Sequence, residues 1–370
     1  MKKNSFLWAA LSMTAALVMT ACSNDDNANE SPVQQSTVKT IPYSVTVNEG
    51  ATTRATVDSD NKTLKFADGD KLYVTGTNIK GVLDIQAGTG SASATFSGDL
   101  IYSGSGTPAS DLSLTATLVS AQQTDGTEVS VDAAGAVTVN YPKTSYCGDV
   151  ATAVQKYSNL TGTSTYGSKS FSLTQQTAFL NFEITFADGT TTGTNLSAVV
   201  SNGGSPICNA NVTTVTDNGV KAKFVLPVAK GTTLSSANVK FGDKAAISFG
   251  ASQELDGKVY NVKRITVTWD NDDITGSGKS FTKDGVTITA GNIDFNSKNF
   301  MKGGTFTTTL GNFTKIEVTA ESFYSFSDTG WSGSDTKRTW AGTPASSVSF
   351  SGNIMGFGNV NFVFTIEPTN

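Results

Sequence analysis

Apolar and polar residues alternate along most of the chain. Tyr43, Val45 and Val47 occupy every second position before Gly50. Leu64 and Phe66 run into Asp68-Gly69, a turn signal, and Leu72 and Val74 resume beyond it. Leu180, Phe182, Ile184 and Phe186 make the cleanest run, which ends at Asp188-Gly189. Ala222, Phe224, Leu226 and Val228 alternate next, with Pro227 on the other face, and Ile265, Val267 and Trp269 follow. A period of two marks strands with one buried face. Proline cannot donate to a sheet ladder, so Pro227 predicts an edge or a strand end. No long segment has helical periodicity. The segment 147–160 predicts one short helix, with Gly148 and Asp149 capping it rather than lying inside it. The chain is therefore expected to be all-β.

The pattern breaks at Asp270-Asn271-Asp272-Asp273-Ile274-Thr275-Gly276-Ser277-Gly278, which reads as a linker over 270–279. Its carboxylates are oxygen donors of the kind Ca²⁺ takes, but their spacing does not match an EF-hand loop, and no metal site is assigned. Beyond it, Val286 and Ile288, Ile316 and Val318, Val348 and Phe350, and Phe362, Phe364 and Ile366 predict four short strands. Residues 280–370 thus read as a separate small β-sandwich.

Composition narrows the chemistry. The chain of 370 residues contains no histidine, which removes His-dependent triads and most transition-metal sites. No basic stripe stands out against the net charge of −5, so no nucleic-acid partner is expected. Acids are present, but no local motif pairs two of them for glycoside hydrolysis. No enzymatic activity and no cofactor are predicted.

The N-terminus carries an address. Lys2 and Lys3 precede an apolar stretch from Phe6 to Val18, too short for a comfortable membrane span, and Thr20-Ala21-Cys22 follows. This resembles the lipobox of bacterial lipoproteins. The resemblance implies cleavage of residues 1–21 and acylation of Cys22, holding the chain on an outer membrane without a spanning helix. Loss of Lys2 and Lys3 would move the formal charge from −5 to −7. Residues 22–40 begin Cys22-Ser23-Asn24-Asp25-Asp26 and read as an acidic, disordered tether. They resemble the signal that exports some lipoproteins to the cell surface, and a solvated spacer has the same composition. With Cys22 committed to lipid, Cys147 and Cys208 form either one disulfide or two buried thiols.

Three stretches extend the resemblance. Thr53-Arg54-Ala55 precedes Phe66-Ala67-Asp68-Gly69-Asp70-Lys71-Leu72-Tyr73-Val74; Phe224-Val225-Leu226-Pro227-Val228-Ala229-Lys230-Gly231 follows; Leu255-Asp256-Gly257-Lys258-Val259-Tyr260-Asn261-Val262 closes the set. In order and spacing, behind a lipobox, they resemble the fimbrillin family of type V pilus subunits. The resemblance implies two transthyretin-like β-sandwiches, over 41–165 and 166–269. It also implies that a trypsin-like protease cuts after Arg54, before Ala55, releasing a strand that carries Tyr43, Val45 and Val47. A strand of another subunit would fill the vacated groove. Burying three such side chains supplies roughly 5–9 kcal/mol as an upper bound.

The family pattern has a stalk subunit donate its C-terminal strand, whereas here about 100 residues follow Trp269. The expectation is a tip or accessory pilin in the fimbrium, with residues 280–370 meeting a glycan or protein on a host or bacterial surface. Trp331 and Trp340 are the candidate ligand-binding residues, as platforms for a sugar ring; as large aromatics they equally suit a sandwich core. A surface glycan-binding lipoprotein that never polymerises is the alternative.

Overall fold

The computed structural model describes residues 38–49, 66–120, 129–249, 253–274, 278–293, 300–325, 328–356 and 359–369. Among these residues the fold is all-β apart from one named helix of two turns, α1 (Val150–Tyr157), and a 3₁₀ turn at Asn271–Asp273. Asp149 caps α1 by accepting from the Thr152 amide, as its sequence position suggested.

The first unit closes on itself. Its seven strands run, in spatial order, β1 (Lys39–Glu49), Ser93–Tyr102, Ile79–Ala87, Lys71–Gly76, Ser113–Val119, Leu160–Thr165 and Ser170–Gln175. All neighbours are antiparallel except at the seam, where β1 lies parallel to Ser170–Gln175. The inward residues fill the barrel, among them Leu72, Val74, Leu83, Phe96, Leu100, Leu114, Phe171 and Leu173. The sandwich expected over 41–165 is thus a closed barrel that also recruits residues 170–175.

The remaining strands are built on one eight-stranded sheet. At its centre, Val259–Asp270 pairs in parallel with Thr177–Ala187 and, through its last six residues, antiparallel with Asn361–Pro368. This strand changes core along its length. Val262 faces a cluster with Phe182, Phe224 and Phe241, covered by the four-stranded sheet that contains Asn195–Asn202 and Ser205–Thr213. Val267 and Trp269, of opposite parity, face a cluster with Phe306, Phe350, Phe362 and Phe364. A five-stranded sheet from Ser280–Lys283 to Ser347–Met355 and Ser322–Tyr324 covers that side. Two sandwiches therefore share one sheet and use opposite faces of it.

Local chemistry explains the joins. Thr177–Ala187 is apolar on both faces at its start because Phe179 packs under Ala153, Val154 and Tyr157 of α1 while Leu180 and Phe182 face the second core. Pro227 lies within Val220–Ala229 opposite Phe179. Val225 exchanges both backbone bonds with Cys147 on the outer side, so two residues on, the missing Pro227 N–H faces that same outer edge and breaks no ladder bond. Two of the three carboxylates of the expected linker are occupied: Asp270 and Asp273 form a capping box, and Asp273 pairs with Lys283 at 2.7 Å.

On the sheet face opposite the third core, Glu317 is buried between Lys337 at 2.6 Å and Lys315 at 2.9 Å. Burial pushes its pKa up, but hydrogen bonds from Lys337 and Lys315 outweigh that and hold it below the ordinary glutamate value. A depressed acid stabilises the fold above its unfolded pKa and loses that contribution as pH falls through the folded value. Glu317→Gln is expected to cost about 2 kcal/mol at neutral pH. The deficit should shrink below about pH 4, which urea unfolding of both proteins at the two pH values checks.

The shared sheet also predicts that the last sandwich cannot be trimmed off cleanly. Deleting 271–370 removes the strand beside Ile265–Asp270 and uncovers Val267 and Trp269. The truncated chain should lose soluble monomer on size-exclusion chromatography. A monomer with an unchanged melting temperature would contradict the sharing.

Candidate strand-exchange site

The strand expected to be displaceable is β1, which closes the seam of the first barrel. Tyr43, Val45 and Val47 point into the barrel and are 3%, 2% and 0% exposed. One edge of β1 pairs with Ser93–Tyr102 from Lys39↔Tyr102 to Asn48↔Ser93. The other edge pairs with Ser170–Gln175 only from Thr46 to Glu49. Before Thr46 no strand pairs with that edge among the described residues, and the turn at Tyr166–Lys169 meets β1 at Tyr43 and Thr46. The Tyr43 ring stacks on Tyr166 with centroids 5.3 Å apart and planes at 24°. Its hydroxyl donates to the Tyr166 carbonyl at 3.2 Å, and the Thr46 amide donates to the Lys169 carbonyl at 3.1 Å. The Lys169 ammonium lies 3.6 Å from the Tyr43 ring centroid and 4.2 Å from that of Tyr166.

Burial raises the Tyr43 pKa, with a smaller push from Tyr166, and lowers that of Lys169. Lys169 holds its place with φ +55, a left-handed conformation that a non-glycine residue adopts at a tight turn. Tyr166 and Lys169 carry no signal in the sequence, because the contact of Tyr166 with Tyr43 spans 123 residues and neither belongs to a strand pattern.

Cys22, Arg54 and Ala55 lie outside the described residues. In the sequence, residues 50–65, which include Arg54, are the only link between β1 and the rest of the barrel on its C-terminal side.

The remaining candidates are placed as follows. Trp340 does not offer a platform: it is 6% exposed, in the third core, with its ring against Gly330 and Gly342. Those two glycines leave the space the indole occupies, and an added Cβ at Gly342 would lie 2.7 Å from the ring. Trp331 is half-buried, paired with Trp340 across the strands. It packs toward Phe306 and Phe350 and donates its indole N–H to the Ser349 carbonyl at 3.3 Å. The two tryptophans therefore belong to the sandwich interior and its margin. Among the described residues, no group of acids, cysteines and histidines is arranged to hold a metal ion.

Cys147 and Cys208 form no disulfide with each other: they are buried thiols in different clusters, Cys147 beside α1 and Cys208 in the second core. Burial pushes the Cys208 thiol up to about 12. The thiolate is the reactive form, so Cys208 should resist alkylation in the folded protein at pH 8 and react once denaturant is added. Mass spectrometry of iodoacetamide-treated protein reads this directly.

No family model matches the chain, and no curated protein matches it. Solved structures of similar architecture include a candidate cell adhesion protein from Bacteroides ovatus, 12% identical, covering 62% of this chain and 92% of that one, with a TM-score of 0.35. The tip fimbrial protein Mfa3 from Porphyromonas gingivalis, with a C-terminal truncation, is 8% identical over 62% of this chain and 95% of its own, with a TM-score of 0.26. A candidate polysaccharide binding protein from Bacteroides thetaiotaomicron is 7% identical over 62% and 92%, with a TM-score of 0.33.

Proposed function

We propose that this chain is a fimbrillin-like pilus subunit that receives a strand from another subunit in the groove now filled by β1. The observation that carries this reading is the seam of the first barrel. One apolar strand closes it, and that strand is followed in the sequence by a segment holding Arg54 in a Thr-Arg-Ala context. A cut after Arg54 by a trypsin-like protease leaves β1 held by hydrogen bonds and packing alone. Its departure exposes two ladder edges and the sockets of Tyr43, Val45 and Val47, which a strand of the same pattern restores.

The chain accepts but does not donate, and so stands at a fibre end. This part of the reading is supported by the C-terminal strand Asn361–Pro368. It lies between two neighbours in the interior of the large sheet, with Phe362, Phe364 and Ile366 at 0% exposure. Pulling it out would open the third core. Before processing, the chain reaches the outer surface as a lipoprotein anchored through Cys22. The last sandwich carries the adhesive surface, on residues other than Trp340, and meets a host or bacterial glycan or protein there.

The test is limited digestion of the chain lacking residues 1–21 with a trypsin-like protease. A single cut after Arg54, followed by growth into SDS-resistant oligomers, is the expected result. A clean cut that leaves a stable monomer holding its β1 fragment would sink the reading.

A further inference from the structure

We infer that the Tyr166–Lys169 turn is a specificity clasp that selects an aromatic side chain at the Tyr43 position of whichever strand fills the groove. This rests on the strand-exchange reading for its partner, and on the geometry of β1 for the clasp itself.

Every part of the clasp except Tyr43 belongs to the body of the barrel. The turn is fastened there by the Tyr166 amide to the Leu112 carbonyl at 2.9 Å and the Gly167 amide to the Ser110 carbonyl at 2.8 Å. When β1 leaves, the turn retains one exposed ring face and an ammonium at the height of the missing ring. An ammonium within reach of two stacked rings gains from both quadrupoles, and the gain rises as water is excluded. An aliphatic side chain in that place fills space but offers the cation nothing. Lys169 is then left partly dehydrated over a single ring. The two deeper sockets, of Val45 and Val47, are lined by apolar residues and carry no such preference beyond size.

The groove therefore reads a pattern: an aromatic residue, then aliphatic residues two and four positions later. The strand must run antiparallel to Ser93–Tyr102 and parallel to Ser170–Gln175. In Pro42-Tyr43-Ser44-Val45-Thr46-Val47 the strand that fills the groove in this chain has that spacing. The partner is an extended segment of another subunit with the same spacing. The turn also fixes register, because the Lys169 carbonyl takes the amide three residues after the aromatic, as it takes that of Thr46. A strand slipped by one residue would turn its aromatic outward.

Two measurements separate the clasp from the reading beneath it. In the uncut chain, amide hydrogen exchange at Thr46 and Val47 is followed in Tyr43→Leu, Lys169→Met and the double variant, with Tyr43→Phe as the conservative control. Each of Tyr43→Leu and Lys169→Met should speed exchange roughly tenfold, the double variant should add little to either, and Tyr43→Phe, which keeps the ring and loses only the hydroxyl's bond to the Tyr166 carbonyl, should speed it less than Tyr43→Leu and stay sensitive to Lys169→Met. Fully additive effects overturn the clasp.

In the chain cut after Arg54, uptake of a synthetic peptide of residues 39–49 is compared with its Tyr43→Leu version. The parent peptide should be favoured roughly tenfold, and Lys169→Met protein should lose that preference. Equal uptake of the two peptides overturns the selectivity. Uptake of neither, with coupling intact in the uncut chain, sinks strand exchange and the partner it implies while leaving the clasp as the lock on β1.

Discussion

A strand inside a sheet must satisfy hydrogen bonds on both edges, and the first unit meets this requirement only through β1. Ser93–Tyr102 and Ser170–Gln175 would otherwise be edges facing each other across a gap. A cross-strand spacing near 4.8 Å leaves room in that gap for one more strand. The strand that enters must be apolar on one face, because Phe96, Phe171 and Leu173 line the interior it completes. Closure thus sets composition, direction and register together. It also makes the barrel's integrity depend on one segment that lies next to the chain's polar N-terminal stretch.

The two ends of β1 are held by different physics. From Thr46 to Asn48 it is paired on both sides. Before Val45 it has one ladder and the Tyr43 contacts, which are directional but local. Ladder bonds are sequence-tolerant, since any residue but proline supplies them. The ring stack and the ammonium above it are not. On the strand-exchange reading, affinity and selectivity would be separable along a single strand: the C-terminal half would hold any suitable β segment, and the N-terminal half would discriminate.

Much of the architecture was legible in the alternation. β1, the Thr177–Ala187 strand, the four C-terminal strands and the Asp149 cap all follow from period two and local capping chemistry. What alternation does not carry is pairing. The closing neighbour, Ser170–Gln175, is short and rich in Ser and Thr, and its parallel partner lies more than a hundred residues away. The shared strand leaves a readable trace in the sequence. Val262 and the series Ile265, Val267, Trp269 differ in parity, and a strand that switches the parity of its apolar positions must face two cores. The acids after Trp269 look like a linker because polar clusters usually are. Here they cap a turn while the sheet continues through the strand before them. The aromatic richness of the last unit suggested sugar platforms, yet large rings in a small sandwich fill its core first, as Trp340 does. The Lys169 contact was invisible for a simpler reason: a lysine in a turn has no pattern to belong to.

The shared sheet bears on where such a subunit can stand in a fibre. Two separate sandwiches on a flexible linker would let the last one swing, and its final strand could leave with little loss elsewhere. Sharing Val259–Asp270 removes both freedoms. The last unit is fixed to the second by a continuous backbone ladder, and its C-terminal strand is a wall of the core that contains Trp269. Force applied to a ligand on the last unit would be carried across that ladder into the second unit rather than through a single covalent link. Hydrogen bonds loaded side by side in one register yield together, so the joint resists shear better than a linker resists extension. On the proposed reading, a subunit built this way would give up donation in exchange for rigidity, which is of use where contact with a surface is made and tension begins.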